Sequence, residues 1–116
     1  MADNLLPRRS LMKWLDLVQM RPGMYLGVSA PDFGGMLDRL EGLILGYQLA
    51  VDAHGVRDPG VEQLSSFCRD LERRFGWRVA PGLIIPTIRR EHSSDVAAWE
   101  TFWQLLGEFR SSNGSG

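Results

Sequence analysis

Apolar residues return at helical spacing in four stretches of this chain, and proline, glycine and capping residues separate them. Leu11, Trp14, Leu15 and Val18 form one stripe with Lys13 and Asp16 opposite, which predicts a first helix over residues 10–20 with Ser10 as its N-cap. A second helix is predicted from about residues 33–35, capped by Asp32, to His54-Gly55. Its stripe is Leu37, Leu40, Ile44, Tyr47 and Val51, widened by Met36, Leu43 and Ala50, and as the most apolar helix it is expected to be central. Gly42 and Gly46 lie one turn apart on it, so another backbone is expected to cross there. After a turn at Asp58-Pro59-Gly60, the positions Val61, Leu64, Phe67, Cys68, Leu71 and Phe75 predict a third helix over residues 61–75, closed by Gly76. The last helix follows Ser93 or Ser94 and ends near Arg110, with Val96, Trp99, Phe102, Trp103, Leu106 and Phe109 on its stripe. Between the third and fourth helices, Pro81, Gly82 and Pro86 interrupt Leu83, Ile84 and Ile85. Residues 82–90 therefore fit either a short edge strand or a single helical turn. The fold class is all-α, one domain of about four helices over residues 10–110. A polar arm of residues 1–9 precedes it, and a Ser/Gly tail of residues 111–116, expected to be disordered, follows it.

The connection between the first two helices is the most distinctive stretch: Arg21-Pro22-Gly23-Met24-Tyr25-Leu26-Gly27. Pro22 lacks an amide hydrogen and disfavours a helical Arg21, so the first helix should end there. Pro22-Gly23 fits the central positions of a type II turn, in which Gly23 takes a positive φ. Met24, Tyr25 and Leu26 then read as a short extended piece pressed onto the core, released by Gly27.

Composition narrows the classes. A chain of 116 residues with 44% hydrophobic and 23% charged residues is of ordinary globular make-up. The net charge is -1 and both signs are spread through the chain, which argues against a polyanion partner held by bulk electrostatics. The single Cys68 excludes an internal disulfide and suits a reducing compartment. Arg8-Arg9-Ser10-Leu11-Met12-Lys13 has the outline of a twin-arginine signal, but Asp16, Gln19 and Arg21 break the apolar stretch after it. No run approaches the roughly 20 apolar residues of a membrane span, so a cytoplasmic location without membrane attachment is expected.

Candidate chemistry is sparse. Cys68 sits on an apolar stripe and reads as a buried thiol, and His54 reads as a complement to its helix C-terminus. His92 lies on a polar loop, and no Cys, His or carboxylate group has metal-ligand spacing, so neither metal nor cofactor is expected. Arg73, Arg74 and Arg78 would form one basic patch with Arg89 and Arg90 if the chain after Gly76 folded back over the third helix. The charge balance, and the lack of a recognition helix with its turn, argue against nucleic acid all the same. Trp77 stands alone in a loop, as a binding anchor or as a cover for the end of the third helix. Asp38, Glu41 and Asp52 are placed to face outward from the second helix, where an acidic face would suit a basic nuclease.

Two families share the motif at residues 21–27. It resembles a string near the N-terminus of the gyrase-type ATPases, whose nucleotide site also needs a glutamate and an asparagine on the next helix and two glycine loops. The helix that follows here carries no asparagine and neither glycine loop follows, so ATP hydrolysis is not expected. Over residues 11–109 the chain is similar to a family of small bacterial immunity proteins encoded beside polymorphic or contact-dependent toxins. The similarity rests on the motif, on Leu45-Gly46-Tyr47, on Phe67 and Phe75, on Trp77 with Ile84-Ile85, and on Phe102, Leu105, Leu106 and Phe109. That resemblance implies a non-catalytic cytoplasmic protein that binds and neutralises a cognate toxin domain; Asp38, Glu41, Asp52 and Trp77, from their placement on the second helix and in a loop, are the candidate contacts. The alternative is an adaptor or DNA-binding regulator of a toxin-associated operon.

Overall fold

A computed structural model describes residues 10–28, 32–79 and 83–112. Among the described residues six helices follow one another: α1 (Leu11–Met20), α2 (Pro22–Leu26), α3 (Phe33–His54), α4 (Pro59–Phe75), α5 (Ile84–Arg90) and α6 (Asp95–Ser112). No strand occurs among the described residues. The four long periodic stretches are helices as expected. The two additional helices are short, and each carries in its first turn a proline that the sequence pattern marks as a breaker.

The physical reason is the same in each. The first N–H groups of a helix have no intrahelical acceptor, so a proline near the start costs no hydrogen bond. Pro22 is the first residue of α2, Pro59 the first of α4, and Pro86 the third of α5. Pro22-Gly23 therefore opens a helical turn, closed by the Tyr25 N–H donating to Arg21 O at 3.1 Å. Gly23 does not take a positive φ. That conformation falls to Gly27 (φ 70), whose N–H donates to Gly23 O as the helix ends. In α5 the Thr87 hydroxyl donates back to Leu83 O at 2.9 Å.

Several ends of the long helices fall where their punctuation predicts, but Ser10, the expected N-cap of α1, makes no side-chain cap hydrogen bond, and α4 begins at Pro59, two residues before the expected Val61. Asp32 Oδ1 accepts from Gly35 N–H at 3.0 Å at the start of α3, and Ser94 Oγ accepts from Ala97 N–H at 3.1 Å at the start of α6. Gly55 (φ 63) and Gly76 (φ 75) close α3 and α4 in the left-handed conformation. Helix α6 runs on through Ser111 and Ser112, so the first two residues of the expected disordered tail are helical. The remainder of that tail, the polar arm of residues 1–9, Pro31, Pro81 and Gly82 lie outside the described residues.

Packing joins α1 to α2 and α4, α3 to α2, α5 and α6, and α6 to α4 and α5. Phe67 of α4 anchors the centre, with its ring 6.4 Å from that of Phe102 and 5.4 Å from that of Phe109. Leu37, Leu40 and Ile44 bring the inner side of α3 into the same core. Arg110 binds Asp16 at 2.6 Å and so fastens the end of α6 to α1.

The expected backbone crossing at Gly42 and Gly46 is absent among the described residues, where a Cβ at either meets nothing within 4 Å. Close approach occurs instead at Gly60, where a Cβ would stand 2.8 Å from Met12 N and 3.1 Å from Leu11 N. Gly60→Ala is expected to lower stability by about 2 kcal/mol in urea unfolding, because backbone must move. Gly107→Ala, on the exposed side of α6 with open space around it, is expected to add about 0.5–1 kcal/mol.

Candidate binding surfaces

The motif at residues 21–27 is a structural corner with little inward-facing surface. Only Leu26 is buried, whereas Met24 is 66% exposed, so the expected extended segment pressed onto the core is a helix with one buried anchor. Tyr25 meets Trp14 of α1 edge-on, with ring centroids 6.3 Å apart. Gly23 is needed for space, since a Cβ there would stand 2.9 Å from Val28 O.

The most elaborate polar cluster centres on Asp58, buried at the N-terminus of α4. Its carboxylate accepts from Gly60 N–H at 2.6 Å, from the first N–H of α1, that of Leu11, at 3.3 Å, and from the Tyr47 hydroxyl of α3. A negative charge at two helix N-termini is favoured by their free N–H groups and dipoles. With all these donors satisfied in a packed junction, the cluster joins α1, α3 and α4. Burial, then the hydrogen bond to Asp58 and that carboxylate's charge, pushes the Tyr47 hydroxyl up to about 12. The Cys68 thiol is likewise pushed up to about 12, chiefly by burial and next by Glu72. It is a buried member of the core, without the lowered pKa that a nucleophile needs.

The arginines do not merge into one patch. Arg73 and Arg74 pair with Asp70, and Arg74 also reaches Glu108 near the end of α6 at 3.3 Å. Arg89 pairs with Asp38 at 2.6 Å and with Asp95 at the start of α6 at 3.2 Å. The hydrogen bond to Asp38 favours the charged Arg89 guanidinium and raises its pKa. With a rise of about 1.5 Å per residue, Asp95 and Glu108 stand about 20 Å apart, and the two arginine groups sit at opposite ends of α6.

The acidic candidates share one side of α3 but not one spot. Asp38 and Asp52 are exposed and Glu41 is half-buried, and Asp38 and Asp52 are about 21 Å apart along the axis. Asp38 is engaged by Arg89, whereas Glu41 and Asp52 have no ion pair among the described residues.

Trp77 is half-buried against the core and stacks on Phe75, with centroids 4.7 Å apart and planes at 22°. The Glu72 carboxylate accepts from Val79 N–H at 3.0 Å and draws this segment back along α4. Phe75, expected on the buried stripe, is 45% exposed, and the Arg74 guanidinium lies 5.1 Å from its ring centre. Arg74, Phe75 and Trp77 thus form an aromatic and cationic corner in which Phe75 is exposed and Trp77 half-buried. The helical period that Phe75 continues conceals its exposure in the sequence; the one signal against burial is its place beside the terminating Gly76.

His54 is exposed in the last turn of α3, and His92 Nδ1 lies 2.8 Å from Ile88 O. No group of three or more potential metal ligands occurs among the described residues. No described helix is long and apolar enough to cross a membrane. Comparison of the chain with family models, curated proteins and solved structures gives no match.

Asp58→Ala would strand three donors, two of them backbone N–H groups, and is expected to cost at least about 3 kcal/mol in chemical unfolding. Tyr47 and Cys68 both have folded pKa values above their ordinary ones of 10.0 and 9.0. Their contribution is therefore complete below those ordinary values and is lost as pH rises toward about 12. Unfolding free energy measured from pH 8 to 12 should fall through this window, and less steeply above pH 10 in Tyr47→Phe.

Proposed function

We propose that this chain is a non-catalytic binding protein, and specifically an immunity protein that neutralises a cognate toxin domain by covering a surface the toxin requires. One observation carries the binding reading: the corner of Arg74, Phe75 and Trp77, in which the exposed Phe75 ring stacks on a half-buried Trp77 and lies beside a guanidinium, at the end of a well-anchored helix. Aromatic residues and arginine dominate the energetics of protein interfaces because they bury much area with few rotatable bonds. Preorganisation by stacking, and by the Glu72 clasp on Val79, lowers the ordering cost on association.

The toxin as partner rests on the resemblance of residues 11–109 to immunity proteins. Such a protein acts in the cytoplasm, needs no cofactor, and works by occlusion. The acids of α3 are the secondary contact in this reading. Glu41 and Asp52 offer unpaired charge, whereas Asp38 must first leave Arg89.

The test is to clone the genes that flank this one and, where one of them encodes a toxic domain, to measure protection of cells that express it. Phe75→Ala with Trp77→Ala is expected to raise the dissociation rate by about 10-fold or more and to abolish protection, with the circular dichroism spectrum retained. Reversing Glu41 and Asp52 together should lower the association rate only a few-fold. Full protection by the aromatic double variant would place the interface elsewhere, and retardation of operon DNA by the wild-type protein would favour a regulator.

A further inference from the structure

The outward side of α3, away from Leu37, Leu40 and Ile44, is apolar along its C-terminal half. Gly42, Leu45, Gly46, Leu49 and Ala53 are all exposed. At 3.6 residues per turn they fall within an arc of about 100°. Leu45 and Leu49 are 38% and 58% exposed, and open space lies over both glycines. This face thus combines protruding leucines with gaps where a second backbone could approach.

Charge along its two borders is asymmetric. Glu41 and Asp52 project on one side of the apolar arc, Arg39 and His54 on the other. Arg39, Glu41 and Asp52 have no ion pair among the described residues. Two copies packed antiparallel through this face would set like borders together, acid against acid. A two-fold axis parallel to the helices sets opposite borders together, so that Arg39 meets Glu41 of the second copy and Asp52 approaches its His54. The same arrangement puts Gly42 against its own copy and lays Leu45 over the gap at Gly46 of the second copy. Shape and charge therefore select the same symmetry.

We propose that α3 is a homodimerisation helix, pairing in parallel with α3 of a second copy of this chain through the face of Gly42, Leu45, Gly46 and Leu49. Such an interface is isologous and closed, so association stops at two. The paired segment, from Arg39 to His54, is only about 22 Å long. The buried area is therefore below the roughly 1,600 Å² of a standard interface, and the dimer is weak and concentration-dependent. The proposal does not depend on the toxin reading, since the principal contact there, at Arg74, Phe75 and Trp77, belongs to α4 and the residues after it; only Glu41 and Asp52, secondary contacts in that reading, border both surfaces.

Sedimentation over roughly 10 μM to 1 mM should show the average mass rising from 13.1 kDa toward twice that value. Leu49→Glu should remove the association at every concentration while leaving the thermal melt in place, because Leu49 touches solvent. Arg39→Glu should weaken dimerisation by about 10-fold, and adding Glu41→Arg in the same chain should restore it. Gly42→Cys should form an intermolecular disulfide under mild oxidation, as the parallel pairing requires. A wild-type protein that stays monomeric at about 1 mM, a Leu49→Glu variant that still dimerises, or a Gly42→Cys dimer that does not cross-link would each overturn the proposal.

Discussion

Three helices of this protein depend on one buried carboxylate. Asp58 caps α4, accepts the first amide of α1 and holds the hydroxyl of Tyr47 from the middle of α3. Burying a charge is expensive unless it is fully hydrogen-bonded, and here its donors include the free amides of two converging helix ends. That convergence needs close backbone contact. Gly60 supplies it, since any side chain there would strike the start of α1. The carboxylate and the glycine are two residues apart, so a single short turn sets how α1 meets α4 and how α3 is tied to both.

Away from this junction the fold is held by apolar packing, in which α6 has the largest part. Its buried residues run from Ala98 to Phe109, and it meets α3, α4 and α5. Phe67 sits against both Phe102 and Phe109, while the pair of Arg110 and Asp16 fastens the far end to α1. These contacts use only the inner side of α3 and leave its outer side without a partner among the described residues. The central helix of the sequence pattern thus lies at the periphery along half its length.

This division of surfaces bears on function. Several arginines among the described residues are paired with carboxylates: Arg57 with Glu62, Arg73 and Arg74 with Asp70, Arg89 with Asp38 and Asp95. Exposed pairs of this kind add little stability, and they lower the net charge around these arginines. What remains available for recognition is chemically different at two places, an aromatic corner at the end of α4 and an apolar face on α3. The first carries the proposal of a binding role, and the second the proposal of self-association.

The sequence by itself determined the helical class, the four long helices and most of their ends. Those features are local: apolar period, a capping Asp32 or Ser94 and a terminal Gly55 or Gly76 act within one or two turns of chain. It did not determine whether Pro22 and Pro86 break or begin a helix, because a proline serves either role and the neighbouring packing decides. Gly23 and Gly27 exchanged roles for the same reason. Nor did periodicity disclose which glycine admits a second backbone. Gly42 and Gly46 have the spacing but face outward, whereas Gly60, within an ordinary-looking turn, lies under α1. Phe75 kept the period of a core residue yet emerged at the surface, and Asp38 carried the charge of a binding residue yet is held by Arg89, which is 51 positions away. Period and composition say which residues can be buried or paired. Only the tertiary structure, by closing distances between remote parts of the chain, decided which ones are.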